Sequence, residues 1–132
     1  MLRLNNQNDD EMQAIREIAT GGKDKAALML NLNRYYERAG FPDGELFRSY
    51  MIALERLLSA VGARILWRHN VLGQPVGDQR LDEVLAIWYP SHQAFLNLYT
   101  APESEANFRA RALAVEYAVI HRFAGDVAPF AP

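Results

Sequence analysis

The sequence contains no cysteine, and this absence excludes several classes of protein at once. Disulfide-stapled domains, zinc sites built from thiolates and enzymes with a thiol nucleophile all depend on cysteine side chains. No apolar run approaches the ~20 residues that a membrane-spanning helix needs, so we expect no membrane partner. The first ten residues lack the basic start and apolar stretch of a secretion signal, which predicts a cytoplasmic protein of bacterial type.

A strong excess of charge of one sign is missing too. Fourteen Lys and Arg residues stand against 16 Asp and Glu residues, and the formal net charge is −2. Such a chain has no general positive field to hold a phosphate backbone, so we expect no nucleic-acid partner. With 132 residues, of which 50% are hydrophobic, the chain has the size and composition of one globular domain.

Helical periodicity is clearest over residues 45–61, where apolar side chains recur every three or four positions. Asp43 is the predicted N-cap of this helix, and Gly62 is its predicted C-terminal cap. A shorter amphipathic helix is expected to begin at Asp9, where acidic residues suit the helix dipole. Ser91 is expected to cap a further helical region before the last strand.

Four apolar segments without proline have the length of β-strands, at residues 26–34, 63–71, 82–89 and 114–123. Together with the helices they follow the ferredoxin-like order. The sequence therefore predicts an α+β fold, a ferredoxin-like βαββαβ unit with a four-stranded antiparallel sheet and an extra N-terminal helix. The expected division is an N-terminal helical extension (1–25), a ferredoxin-like domain (26–124) and a tail (125–132).

The third predicted strand is apolar at consecutive positions from Val84 to Tyr89, as in a strand that is buried on both faces. Right-handed crossovers, however, put both main helices on one face of the sheet. A second copy of the chain can cover the other face, since a two-fold interface buries the same surface on both subunits. We therefore expect a homodimer through the helix-free sheet face, with the alternative that the N-terminal segment folds over it.

A series of short segments occurs in a fixed order between residues 26 and 123. It includes Met29-Leu30-Asn31-Leu32, Phe41-Pro42-Asp43-Gly44, Gly62-Ala63-Arg64, Leu66-Trp67-Arg68, Asp82-Glu83-Val84-Leu85, Tyr89-Pro90-Ser91 and Arg111-Ala112-Leu113. In their order and spacing these segments resemble an uncharacterised bacterial family, a domain of unknown function in the dimeric α/β-barrel superfamily. The resemblance implies a dimeric α/β barrel, and it implies no catalytic residues because that family has no settled activity.

Four side chains form the candidate ligand-binding site: Asn31, Arg64, Arg68 and Trp88. Strand alternation predicts that Trp88 and Asn31 point to the helix-free face and that both arginines share one side of the second strand. An amide, an indole and two guanidiniums would suit a planar anionic ligand, because arginine pairs with carboxylates and tryptophan stacks on flat groups. The same residues would also serve as anchors of a dimer interface.

The last predicted strand carries the candidate acid/base residues, His121 and Glu116. The alternatives are a hydrogen-bonded histidine and an ion pair with an arginine. His69 and His121 are expected at opposite edges of the sheet, so we expect no metal site and no cofactor. Asp82 and Glu83 are adjacent, hence on opposite faces, and are expected at a solvated strand end.

Two functions of different kinds are consistent with these features. The first is a cofactor-independent small-molecule enzyme, monooxygenase- or isomerase-like, that acts on small organic acids or aromatics. It follows superfamily relatives that act on aromatic or lactone compounds, which is an analogy at the level of fold. The second is a non-catalytic dimer that binds a small ligand or serves as a structural or interaction protein. An enzyme would need an open cavity that holds a titratable group with a shifted pKa.

Overall fold

A computed structural model describes residues 2–132 and shows a four-stranded antiparallel sheet with helices packed on one face. The strands are β1 (Ala27–Tyr35), β2 (Arg64–Asn70), β3 (Glu83–Tyr89) and β4 (Val115–Ala124), and they lie in the order β2-β3-β1-β4. The helices are α1 (Asp9–Thr20), α2 (Glu45–Val61), α3 (His92–Leu96) and α4 (Ser104–Ala114). The ferredoxin-like α+β fold and its extra N-terminal helix are confirmed.

Helix α2 supplies the largest part of the core that covers the sheet. Its buried side chains are Phe47, Tyr50, Met51, Leu54, Leu57 and Leu58. Gly62 ends the helix with a φ of 79°, a left-handed conformation that glycine adopts without strain, so the predicted C-terminal cap is confirmed.

The predicted N-cap of α2 is wrong, because Gly44 and not Asp43 occupies that position. The reason is a tight turn immediately before the helix. The backbone N–H of Gly44 donates to the Gly40 carbonyl oxygen, and a Cβ on Gly44 would lie 2.5 Å from the Gly40 Cα. The close approach requires glycine at this position, and no side-chain hydrogen bond caps the helix.

Helix α1 packs against α3, on the side of the sheet that carries the helices. Its side chains Met12 and Ile15 are 7% and 2% exposed and belong to the same core as Met29 of β1. The alternative in which the N-terminal segment covers the helix-free face is therefore wrong. An amphipathic helix buries its apolar stripe wherever an apolar groove is available, and here the groove lies beside α3.

The helix-free face is apolar but incompletely covered. Trp67 and Phe123 on this face are 40% and 38% exposed. The C-terminal tail covers only one end, where the Trp88 indole N–H donates to the Gly125 carbonyl oxygen (2.9 Å) and Phe130 packs against Phe123 with ring centroids 5.3 Å apart.

The longest helix in residues 2–132 is α2, with 17 residues, and no helix in this range has both the length and the apolar character to cross a membrane.

Candidate functional site

The sheet register separates the four residues of the predicted ligand site. Arg64 pairs with Trp88, and its guanidinium lies 5.7 Å from the centre of the indole ring. Asn31 and Arg68 both pair with Leu85. Directly paired residues of antiparallel strands point to the same face. Arg64 and Trp88 therefore lie on the helix-free face, whereas Asn31 and Arg68 lie on the helix side, so the predicted single site is wrong as a cluster.

Two features of the sheet explain this separation. A β-bulge between Ile65 and Trp67 adds one residue to β2 and reverses the alternation, so Arg64 and Arg68 end on opposite faces. In β1 the more apolar face, which carries three leucines, is not the helix side, so hydrophobicity alone predicts the wrong orientation. The leucines face away from the helices, and the helix side instead carries Met29, Asn31, Asn33 and Tyr35.

A cavity in two parts lies between the helices and the sheet. The inner chamber has a volume of about 40 Å³, and its polar lining comes from Asn31, Asn33, Tyr50, Asn107 and Arg111. The outer chamber has a volume of about 350 Å³ and lies under the N-terminal segment 4–8, against α1 and β4. The two chambers are adjacent, since both are lined by Leu4, Phe95, Tyr99, Arg111 and Ile120.

Two buried amide atoms of the inner chamber lack hydrogen-bond partners within residues 2–132. They are Oδ1 of Asn33 and Nδ2 of Asn107, in side chains of residues that are 2% and 4% exposed. Arg111 has no carboxylate within ion-pair distance in the described part of the chain. Nearly all buried polar groups in folded proteins are paired, so an unpartnered acceptor, an unpartnered donor and a cation without a carboxylate in one cavity indicate a place for a ligand.

A chain of hydrogen bonds through Tyr35 to Glu83 holds the Asn33 side chain. Its Nδ2 donates to the Tyr35 hydroxyl oxygen (3.3 Å), and the Tyr35 hydroxyl donates to Glu83 Oε1 (2.6 Å). The other carboxylate oxygen of Glu83 lies 3.5 Å from Nε of Arg68, whose guanidinium also contacts the Met51 sulfur. These contacts connect the cavity wall to the edge strand β2.

Glu83 was expected at a solvated strand end, and this expectation is wrong because the residue is 2% exposed. Tyr35 and the side chains of α2 cover this end of β3, where Arg68 also packs against Phe47 with 5.8 Å between guanidinium and ring centre. Burial raises the pKa of the Glu83 carboxyl, although the Tyr35 hydrogen bond and the Arg68 charge act in the opposite direction.

The phenols around the cavity remain protonated. Burial raises the pKa of Tyr50, even though the nearby guanidinium of Arg111 acts to lower it. The pKa values of Tyr89 and Tyr99, which also line the inner chamber, are raised for the same reason. Each phenol is therefore a neutral hydrogen-bond donor at ordinary pH.

The predicted acid/base residues lie elsewhere. His121 pairs with Leu30 and is exposed on the helix-free face. Glu116 lies 3.2 Å from Nε of Arg34 and 3.8 Å from a guanidinium nitrogen of Arg80, which agrees with the ion-pair alternative. Neither residue lines the two chambers. Across residues 2–132, no three His, Asp or Glu side chains come close enough to hold a metal ion.

A second polar cluster lies where α1, α3 and β4 meet, near the outer chamber. His92 is 6% exposed, and its Nδ1 lies 2.8 Å from the Lys25 carbonyl oxygen and 3.1 Å from Oδ1 of Asp24. Burial acts to raise the pKa of the Asp24 carboxyl, but hydrogen bonds from the backbone N–H groups of His92 and Gln93 lower it overall.

The same cluster includes a bidentate ion pair. Arg122 donates to both carboxylate oxygens of Glu11 (2.8 and 3.0 Å), and these hydrogen bonds lower the pKa of Glu11. The charge of Arg122, at the rim of the outer chamber, is therefore neutralised by Glu11. The charge of Arg111, between the chambers, is not neutralised by a carboxylate of residues 2–132.

The predicted site does not include Asn33, Tyr50, Asn107 or Arg111, although the sequence carries two signals for them. Asn31 and Asn33 are polar at alternate positions of a strand that is otherwise apolar, so both amides point to one face. Asn107 and Arg111 are four residues apart and thus share one face of α4. Neither signal alone shows that these side chains meet.

No protein-family model and no curated protein matches the chain. A protein of unknown function from Rhodopseudomonas palustris has a similar structure, with a TM-score of 0.72 and 23% identity over 96% of this chain and 97% of that chain. A hydroxynitrile lyase from Passiflora edulis matches with a TM-score of 0.57 and 15% identity over 82% and 98% of the two chains.

A dimeric ferredoxin-like protein of unknown function from Thermobifida fusca matches with a TM-score of 0.53 and 16% identity, over 76% of this chain and 91% of that chain. Identities this low establish the fold and no residue roles. The implied likeness to uncharacterised ferredoxin-like proteins is confirmed.

Proposed function

We propose that the chain is a cofactor-independent small-molecule enzyme that takes a small organic acid or aromatic compound into the two-chamber cavity. The supporting observation is the unpartnered acceptor of Asn33 and donor of Asn107 in the inner chamber. Arg111 lines the same chamber and has no carboxylate partner in residues 2–132. An unpaired buried polar group costs about 1–3 kcal/mol. A ligand that pairs with both amides recovers this free energy on binding.

The sizes of the chambers suggest how such a ligand lies. The inner chamber, at about 40 Å³, has room for a head group of a few atoms. The outer chamber, at about 350 Å³, falls in the range of small-molecule sites and offers the apolar surface of Met12 and Ile15. Arg111 borders both chambers and would pair with a carboxylate at the passage between them.

Tyr50 is the group best placed for chemistry. Its phenol keeps its proton, because burial raises its pKa, and it lies beside the cation of Arg111. A neutral donor next to a guanidinium would stabilise negative charge that develops on a substrate oxygen, as enolisation or oxygenation of an aromatic acid requires. This arrangement supports monooxygenase- or isomerase-like chemistry. The Passiflora edulis lyase is an enzyme of similar fold, which is an analogy only.

Non-catalytic ligand binding is the alternative, and one observation favours it. Tyr50, Tyr89 and Tyr99 all have raised pKa values, so none of them exchanges a proton readily near neutral pH. A binding protein needs only the cavity and its paired polar groups. A structural or interaction protein would need neither the cavity nor its polar groups. Detection of a bound ligand would therefore favour an enzyme or a binding protein over a structural or interaction role.

The proposal includes a cytoplasmic homodimer, a dimeric α/β barrel formed through the helix-free face. Trp67 and Phe123 expose large apolar surface there, and such surface is commonly covered by a partner. The Thermobifida fusca protein of similar fold is dimeric. Because the cavity is on the other side of the sheet, this interface would leave it open.

A thermal-shift screen against small carboxylic acids, phenols and lactones tests the proposal. A ligand at about 100 times its Kd should add about 2.7 kcal/mol of stability. Arg111→Ala and Asn107→Leu should remove the shift, whereas Arg109→Ala, at an exposed arginine on the same helix, should leave it unchanged.

No change in melting temperature with any compound would contradict binding in this cavity. A change that persists in both cavity variants would contradict it as well. Each bound compound is then incubated with the protein in air and analysed by mass spectrometry. A new product supports the enzyme, and a compound that returns unchanged supports the binding protein.

A further inference from the structure

The hydrogen-bond chain behind Asn33 has a defined direction. The single hydroxyl hydrogen of Tyr35 is donated to Glu83, which in its ionised form can only accept hydrogen bonds. The Tyr35 oxygen is then left to accept, and the group that faces it must be the NH₂ of Asn33. The amide oxygen of Asn33 consequently points away from Tyr35, towards the inner chamber, where it has no partner in residues 2–132.

We infer that Glu83 and Tyr35 are positioning residues that hold Asn33 as a fixed hydrogen-bond acceptor, so that the cavity selects ligands whose head group carries an O–H or N–H donor. The inference rests on the proposed function and names its ligand class. Asn107 and Arg111 supply donors from α4, so the complementary ligand also carries an acceptor. A hydroxylated aromatic acid has both.

The selectivity follows from burial. Asn33 is 2% exposed, so a head group that fills the inner chamber without a donor leaves the amide oxygen without a partner. A site built around a buried polar group rejects the analogue that lacks the matching hydrogen bond much more strongly than an apolar site rejects a change of size. Loss of the donor should weaken binding by about 10-fold or more.

Two benzoates of similar size serve as probes. 3-Hydroxybenzoate and 3-fluorobenzoate both offer a carboxylate to Arg111, and only the first has a donor on the ring. Calorimetry with the wild-type protein should show about a 10-fold or greater preference for 3-hydroxybenzoate. Asn33→Leu, which replaces the amide by an apolar group of similar shape, should bring the ratio close to 1 by weakening only the hydroxylated ligand.

Tyr35→Phe tests the positioning role. Without the hydroxyl the Asn33 amide is free to turn, so the preference should fall to about 3-fold or less while the affinity for 3-fluorobenzoate stays unchanged. A merely structural role would weaken both ligands alike. Tyr36→Phe is the matched control, because that ring stacks with Arg38 at 4.2 Å outside the cavity, and it should keep the wild-type ratio.

NMR spectroscopy tests the orientation without any ligand. The side-chain amide protons of Asn33 should give nuclear Overhauser effects to the Tyr35 ring in the wild-type protein. Tyr36→Phe should preserve these signals. Their absence in the wild type would overturn the inference, whether or not Tyr35→Phe folds.

The remaining outcomes separate the inference from the proposed function. Equal binding of the two benzoates would overturn the selectivity but leave the cavity as a binding site. If neither benzoate binds, the proposed function fails for aromatic acids and the selectivity fails with it, while the NMR signals still decide whether Asn33 is held.

Discussion

The two faces of the sheet differ in a way that reverses a common expectation. The helix-covered face contains buried polar groups, among them Asn33, Tyr35 and Glu83. The helix-free face is mostly apolar, with leucines, tryptophans and phenylalanine beside Arg64 and His121. The covered face can carry polar groups because each is paired, or lines a cavity that a ligand can fill. The more apolar face is the one that the chain itself leaves partly exposed.

This difference matches the two roles that we propose for one small domain. The covered face has shape, charge and unpaired hydrogen-bonding groups, which are the properties of a binding site. The helix-free face exposes the large apolar side chains Trp67 and Phe123, which is the property of a subunit contact. Substitutions at matched positions on the two faces should therefore have different consequences.

The largest expected effect comes from neighbouring residues of β3. Leu85 is fully buried on the covered face, and Val84 points to the helix-free face. Leu85→Ala should cost about 2–5 kcal/mol in the free energy of unfolding, because it removes core contacts and leaves a cavity. Val84→Ala should cost less than about 1.5 kcal/mol, with a cost that depends on protein concentration if the face is a dimer contact. Urea titrations at two protein concentrations measure both, and equal losses would show that the faces are not distinct.

The next effect concerns association. Trp67→Glu places a charge on the helix-free face, where the indole is 40% exposed, and should weaken the proposed dimer by at least about 2 kcal/mol, or about 30-fold. Ile52→Glu is the control, since Ile52 on α2 is 52% exposed on the other side of the molecule. Light scattering should give half the wild-type mass for Trp67→Glu only, with unchanged circular dichroism. A dimer that survives Trp67→Glu would place the contact elsewhere.

The smallest effect tests the bulge in β2. Arg68→Ala removes the cation that faces Glu83, and should cost about 1 kcal/mol after allowance for the 40% exposure of Arg68. Arg64→Ala loses only a surface contact with Trp88, worth about 0.5 kcal/mol. Without the bulge, both arginines would lie on the helix-free face and neither would face Glu83, so the two substitutions would lower the free energy of unfolding by similar amounts.

The pH dependence separates the arginines further. The pKa of Glu83 in the folded protein is above its ordinary value of 4.5, so the folded state binds the proton more tightly than the unfolded state does. The free energy of unfolding therefore falls as the pH rises from the unfolded-state pKa of Glu83 through its folded-state pKa. Arg68→Ala raises that pKa further, so its cost should be small in acid and grow towards neutral pH. The cost of Arg64→Ala should not change over the same range. Urea titrations from pH 4 to 8 measure both dependences, and a flat profile for Arg68→Ala would contradict the Arg68–Glu83 contact.

Most of the fold could be predicted from the sequence because its signals are local. The helical period of residues 45–61, the C-terminal cap at Gly62 and the cap at Ser91, whose hydroxyl accepts from the Ala94 N–H at 3.0 Å, each depend on a few neighbouring residues. The order of strands and helices then leaves few topologies. The candidate site was predicted less well, since only Asn31 of the four ligand-site candidates lines the inner chamber.

The sequence by itself determined the strands, the main helices and their ferredoxin-like order, since period, caps and crossover handedness are properties of short segments. Only the tertiary structure decided which face of β1 meets the helices, because the leucine face is the more apolar one and yet points away from them. It also decided that one bulge separates Arg64 from Arg68, and that Asn33 and Asn107, 74 positions apart in the sequence, line one chamber. A register shift or a long-range contact changes the free energy of the whole fold and leaves no trace in a local pattern.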